Sequence, residues 1–186
     1  LRLGHDGGEL TLSADLAVLS GGADVATFEA NYTSKIGDKQ AEFGINIANI
    51  AAQDISTQNP ALAWLSVLRA PISGALRSGV DADGMLTPLN ATLQIGEGAV
   101  QPTEAAKPIP FSSLRTYFTY HLDTQIIDFD ELSVVSKWIT ASTDGQAFLS
   151  GLENGVLEEL VGQFKLPAFV VNPNDVYEKP INFDGA

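Results

Sequence analysis

Apolar side chains recur at every second residue through most of this chain. Between Glu9 and Val18, Leu10, Leu12, Ala14, Leu16 and Val18 alternate with Thr11, Ser13 and Asp15. Successive side chains of a strand point to opposite faces, so this spacing predicts one apolar face and one wet face. It is the pattern of an antiparallel sheet, because a parallel sheet covered on both sides reads as a continuous apolar run. Strands written this way must each find a cover for one face.

The same alternation continues through Asp24–Thr33, with Phe28, Ala30 and Tyr32, and through Ala41, Phe43, Ile45 and Ile47. Turns are expected at Leu19-Ser20-Gly21-Gly22 and Ile36-Gly37-Asp38-Lys39, so the first third reads as a meander. Strands resume over Ile72–Val80 and Leu89–Ile95, separated by an Asp83-Gly84 turn. Between them, Asn59-Pro60 signals a helix start. Leu62, Trp64, Leu65 and Leu68 follow, and Pro71 forces an end by Arg69. A helix this short does not hold alone in water and must pack through its leucines. Gln101–Pro110, with its three prolines, reads as a loop or sheet edge.

Phe111 to Leu149 predicts three more strands. Leu114, Thr116, Phe118 and Tyr120 share one face, as do Ile127 and Phe129. After Asp130-Glu131 the apolar parity slips to Leu132 and Val134, which predicts a β-bulge. Asp144-Gly145 taken alone is a hairpin signal. A turn at Ser136-Lys137-Trp138 instead keeps Ile139, Ala141, Ala147 and Leu149 on one face, and is preferred. A further strand is expected from Leu160 to Asn172-Pro173-Asn174-Asp175, and Ile181–Gly185 opens another. The expectation is a mostly β chain, an antiparallel meander with one short helix, groove-like or sandwich-like. It divides into a first meander (1–54), a connecting helix (55–71) and a second strand set (72–186), and reads as an excised segment of something longer.

Composition narrows the function. The chain has 186 residues, 45% hydrophobic and 18% charged, which is too apolar for a disordered chain. Its net charge is −13 with ten basic residues, no footprint for binding phosphate backbones or anionic membrane surfaces. Without cysteine there are no disulfides or thiolate metal sites. No apolar run is long enough for a spanning helix, and with Leu1 opening directly into strand-like sequence no signal peptide is expected in this stretch.

Catalytic signals are sparse. His5 and His121, the two histidines, lie in a Gly-rich start and at a turn, outside any nucleophile pattern. Asp81-Ala82-Asp83-Gly84 lacks the rest of a calcium loop. Asp128 and Asp130 read as a solvated strand face. Neither a cofactor nor a metal is expected, nor enzymatic activity.

Phe129-Asp130-Glu131-Leu132-Ser133-Val134-Val135-Ser136-Lys137-Trp138, followed by Gly145 and Ala147-Phe148-Leu149, resembles the repeat unit of AsmA-like proteins. Ala70-Pro71-Ile72-Ser73-Gly74, Leu89 to Gly98 and Ile109-Pro110-Phe111 fit the same family, so the resemblance covers roughly 55–170. It implies a periplasmic segment of a bacterial, inner-membrane-anchored protein. Its membrane contact would run through parts of the chain not present here, and its strands would adjoin neighbouring repeats. It also implies a hydrophobic β-groove for phospholipid transport or outer-membrane assembly. On that reading the phospholipid or other acyl-chain ligand would be lined by Leu10, Leu12, Phe28, Phe43, Leu93, Phe118, Phe129 and Val134. Two other readings stand beside it. A secreted β-sandwich adhesion module, with a carbohydrate or protein ligand, would display Trp64, Trp138, Tyr117 and Tyr120. A hydrolase would place Asp128 or Asp130 in a concave pocket.

Overall fold

The structure is a computed structural model and describes residues 1–20, 23–58, 60–101, 103, 105–151, 159–171 and 181–184. The first four strands are β1 (Arg2–Asp6), β2 (Glu9–Ser20), β3 (Ala23–Lys35) and β4 (Ala41–Ala51). A short helix α1 (Ala52–Ser56) and a 3-10 helix (Pro60–Val67) lead to β5 (Leu68–Arg69) and β6 (Pro71–Val80). Then come β7 (Leu89–Ile95), β8 (Gly98–Val100), β9 (Ile109–Phe111), β10 (Ser113–His121) and β11 (Ile126–Val135). The chain closes with β12 (Ile139–Ser150), β13 (Glu159–Val171) and β14 (Ile181–Asp184).

Eleven of these strands form one antiparallel sheet in the order β1-β2-β3-β4-β6-β7-β10-β11-β12-β13-β14. β1 and β14 stand at opposite ends, so the sheet is open and not a barrel. β5, β8 and β9 make a second, three-stranded sheet. Of the two arrangements expected, sandwich or groove, the described residues form the open one. The turns fall at the expected glycines, Gly37 and Gly84, whose positive φ values (85° and 87°) suit a residue without Cβ.

The parity slip is a bulge. Phe118 pairs with Phe129 and Tyr117 with Glu131, leaving Asp130 as the extra residue. Gly145 lies inside β12, paired with Phe129 and Phe164, and the turn is at Ser136–Trp138. Pro110 sits on β9, at the edge of the small sheet, where its missing N–H costs no ladder bond. Gly21-Gly22, Asn59 and the expected stop at Asn172–Asp175 lie outside the described residues.

The helical segment differs from expectation in kind. α1 begins at Ala52, and the stretch from Pro60 is 3-10 rather than α, ending at Val67. Leu62, Leu65 and Leu68 are spaced by three, which aligns side chains along a helix of three residues per turn. Leu65 and Leu68 are buried with Ala52, Ala70, Ile72, Ile95 and Phe111, and Leu62 packs against them. The Ala52 N–H donates to the Ala70 carbonyl (3.1 Å) and the Gln101 N–H to that of Val67 (2.7 Å). These bonds pin the helices and the small sheet as one cap.

Candidate functional site: an uncharged apolar sheet face

Residues directly paired across antiparallel strands project to the same face. Following the register from strand to strand therefore sorts every side chain. One row reads Ala14, Ala30, Ile45, Leu76, Ala91, Phe118, Phe129, Gly145 and Phe164. The next reads Leu16, Phe28, Ile47, Gly74, Leu93, Thr116, Leu132 and Thr143. Leu12, Tyr32, Phe43 and Ser78 fall in a third row on the same side, with Leu10 beyond them. Leu114 and Val134 flank the cap on that side as well. All eight sequence-predicted lining residues thus share one face, Leu10, Leu12, Phe28, Phe43, Leu93, Phe118, Phe129 and Val134.

Among the described residues of the large sheet from β2 to β13, no Asp, Glu, Lys or Arg projects to this face. Asp15, Glu29, Glu42, Arg77, Arg115, Asp128 and Glu131 occupy the other one. There Arg77 donates to Asn46 Oδ1 (2.8 Å) and Asn46 Nδ2 to Glu29 Oε2 (3.2 Å), a polar lattice across three strands. Among the described residues, the charged side chains of these strands are thus confined to one side of the sheet.

The cap covers the apolar face along one margin only, over Ile47, Ile72, Leu93, Ile95, Leu114 and Val134. Elsewhere the small Ala41, Ala91 and Ala147 are buried between their neighbours, and larger side chains are half-buried or open: Leu12 is 38% exposed, Leu16 64% and Phe164 43%. With eight steps of about 4.8 Å between the nine sheet strands from β2 to β13, it extends for about 38 Å. Contiguous apolar surface beyond a few hundred Å² marks a binding surface.

An aromatic ladder runs across four strands of the face. The rings of Phe118 and Phe129 are 5.7 Å apart, and those of Phe129 and Phe164 are 5.6 Å apart across β12. The second contact exists because Gly145 has no side chain between them: a Cβ there would stand 2.2 Å from the Gln163 carbonyl oxygen and 2.7 Å from the Phe164 ring. The sequence shows this glycine but not its consequence, since Phe164 is nineteen residues further along the chain. The rings are tilted by 53° and 49°, so they form a ridge and not a coplanar stacking platform.

The residues of the other two readings are not gathered into sites. Tyr117 and Tyr120 project to opposite faces, and Trp138 lies half-buried at the β11–β12 turn. The Trp64 side chain lies outside the described residues. Asp128 accepts from Gln146 Nε2 and lies 3.0 Å from His121 Nε2, a pairing the sequence separation of seven residues did not announce. Asp130 is exposed on the bulge. Neither lines the depression of about 920 Å³ at the other half of the sheet, lined by Asn31, Thr33, Glu42, Arg77 and Asn90 among others. Asp81 Oδ1 accepts the N–H groups of Asp83 and Met85, so this loop closes on itself. Among the described residues no three metal-ligating side chains converge, and no helix is long and apolar enough to cross a membrane. Comparison with family models, curated proteins and solved structures finds no match for this chain.

Proposed function

We propose that the open face is a hydrophobic groove for acyl chains, and that the chain is a non-enzymatic segment of an envelope protein that carries or shelters phospholipid. The observation that carries the reading is the segregation of charge: a face about 38 Å long that, among the described residues, is free of charged side chains and covered along one margin only. Acyl chains bind by apolar burial, about 0.8 kcal/mol per methylene. The AsmA-like resemblance of the sequence adds the envelope setting, a periplasmic location and anchoring through other parts of the chain. Neighbouring repeats would lengthen the groove.

The test is a charge placed on the face. Phe118→Glu and Phe129→Glu stand on adjacent strands and are only half-buried. A glutamate there reaches water, whereas in a closed core it would be an unpaired buried charge. Binding of a fluorescent fatty-acyl probe should fall at least tenfold in both variants while the thermal midpoint stays within a few degrees. No probe binding by the unmutated protein, or collapse of both variants, would turn the reading to a closed structural domain.

A further inference from the structure

The two edges of the large sheet are stepped. β1 pairs with residues 9–13 of β2 and leaves residues 14–20 of that strand without a neighbour on that side among the described residues. β14 pairs with residues 168–171 of β13 and likewise leaves residues 159–167 without one. Exposure follows the same division. Residues 15–19 and 159–166 are exposed throughout, whereas Phe169, Val170 and Val171 beside β14 are half-buried. The Ile36 N–H donates to the Gly8 carbonyl (2.8 Å), so the even-numbered residues of β2 bond to β3. The N–H and C=O groups of Asp15 and Ala17 therefore point away from the sheet, into an empty strand position. Residues 14–20 hold no Lys, Arg or Pro, the residues that blunt an edge strand.

The two steps fit one another. β2 and β13 are eight antiparallel pairings apart and run in the same direction, as do β1 and β14. β14 lies toward the capped margin, because it pairs with Phe169, in the row of Ala141, Val134, Leu114 and Ile95. The free half of β2 lies toward that margin too, since it begins near Leu16, in the row of Ile47 and Leu93. β1 lies toward the other margin, beside the start of β2. We infer that a second copy of this chain docks head to tail on the β1–β2 edge, its β14 beside residues 14–20 of β2 and its β13 beside β1. Both new pairings are antiparallel, engage the five residues of β1 and the four of β14, and keep the apolar faces on one side. A two-fold contact of β2 with β2 would fill one step and leave the other empty. The head-to-tail contact leaves one free edge of each kind, so it repeats and does not close. It is independent of what the apolar face binds.

Sedimentation equilibrium tests the contact in about 1 M salt, where a Debye length of about 3 Å screens the repulsion between copies of net charge −13. The average mass should rise with concentration past two copies. Ala17→Pro removes an N–H that bonds to nothing within the sheet, and proline is tolerated at such an edge position. Its thermal midpoint should stay within a few degrees while the variant remains monomeric. Asp15→Pro acts by the same geometry and replaces it if Ala17→Pro loses its cooperative transition. Either variant keeps its β13–β14 edge, so when mixed with the unmutated protein it should end chains and lower their average mass. A monomeric unmutated protein, or variants that associate as it does, would overturn the contact. A mass that stops at two copies, or that the added variant leaves unchanged, would assign the association to a two-fold pairing and overturn the head-to-tail order.

Discussion

Gly145 puts opposing effects on one residue. Within a strand, glycine loses more conformational freedom on folding than alanine, so replacement by alanine ordinarily stabilises by about 0.5–1 kcal/mol. Here the new methyl would stand 2.2 Å from the Gln163 carbonyl oxygen and 2.8 Å from the Phe164 Cα, both backbone atoms of β13. No rotamer relieves such a contact, so β12 and β13 must separate locally. Overpacking of this kind costs about 1–3 kcal/mol, and loss of the Phe129–Phe164 contact about 0.5–1.5 kcal/mol more. The clash outweighs the entropic gain, and Gly145→Ala should destabilise by about 1–3 kcal/mol. Gly44 provides the control, because the nearest atoms to its added methyl all belong to the flexible Arg77 side chain, from 2.8 Å. That chain can swing aside, so Gly44→Ala should stay within about 0.5 kcal/mol of the unmutated protein. Urea unfolding of the three proteins decides between these terms. A midpoint for Gly145→Ala at or above the unmutated value would refute the close approach of β13.

Leu65→Ala removes a buried leucine of the cap and should cost about 2–4 kcal/mol by urea unfolding; an unchanged midpoint would mean that the 3-10 helix does not rest on the sheet. Deleting Asp130 removes the extra residue of the bulge and leaves Leu132 and Val134 on the apolar face, so the product should remain soluble with a cooperative transition; an aggregated or unfolded product would contradict the register. Gln125 holds φ at 56°, a conformation costly for a residue with a Cβ, so Gln125→Gly should raise stability by up to about 1 kcal/mol, read as a higher thermal midpoint. A lowered midpoint would show that the Gln125 side chain matters more than its backbone.

The strands were legible because each writes its own face into its own residues. Leu10 to Val18 needs no partner to declare a parity, and the slip at Asp130-Glu131 declares a bulge before the partner strand is known. The sharing of one face by all eight lining residues follows from that parity carried through antiparallel turns. What the sequence withheld depends on distant partners. Leu62, Leu65 and Leu68 suit an α-helix or a 3-10 helix, and contact with Ile72 and Ile95 accompanies the tighter one. The pairing of His121 with Asp128 and the glycine gap beneath Phe164 are properties of neighbouring strands. Neither leaves a local spacing to read. The unequal margins of the face likewise depend on where the cap comes down.

The sheet order follows the chain order from β1 to β14, with only the cap strands set aside. Each strand of the sheet therefore pairs with its neighbours in the chain, and among the described residues β1 and β14 do not pair with each other. A molecule built this way behaves as a linear array, whose cooperativity is passed from neighbour to neighbour. It has no single point at which the whole must give way. Opening should begin at the uncapped ends and move inward, and amide-exchange protection should climb toward β6, β7 and β10 under the cap. An apolar face of this length can then be lengthened or shortened by whole hairpins without redesign of its middle.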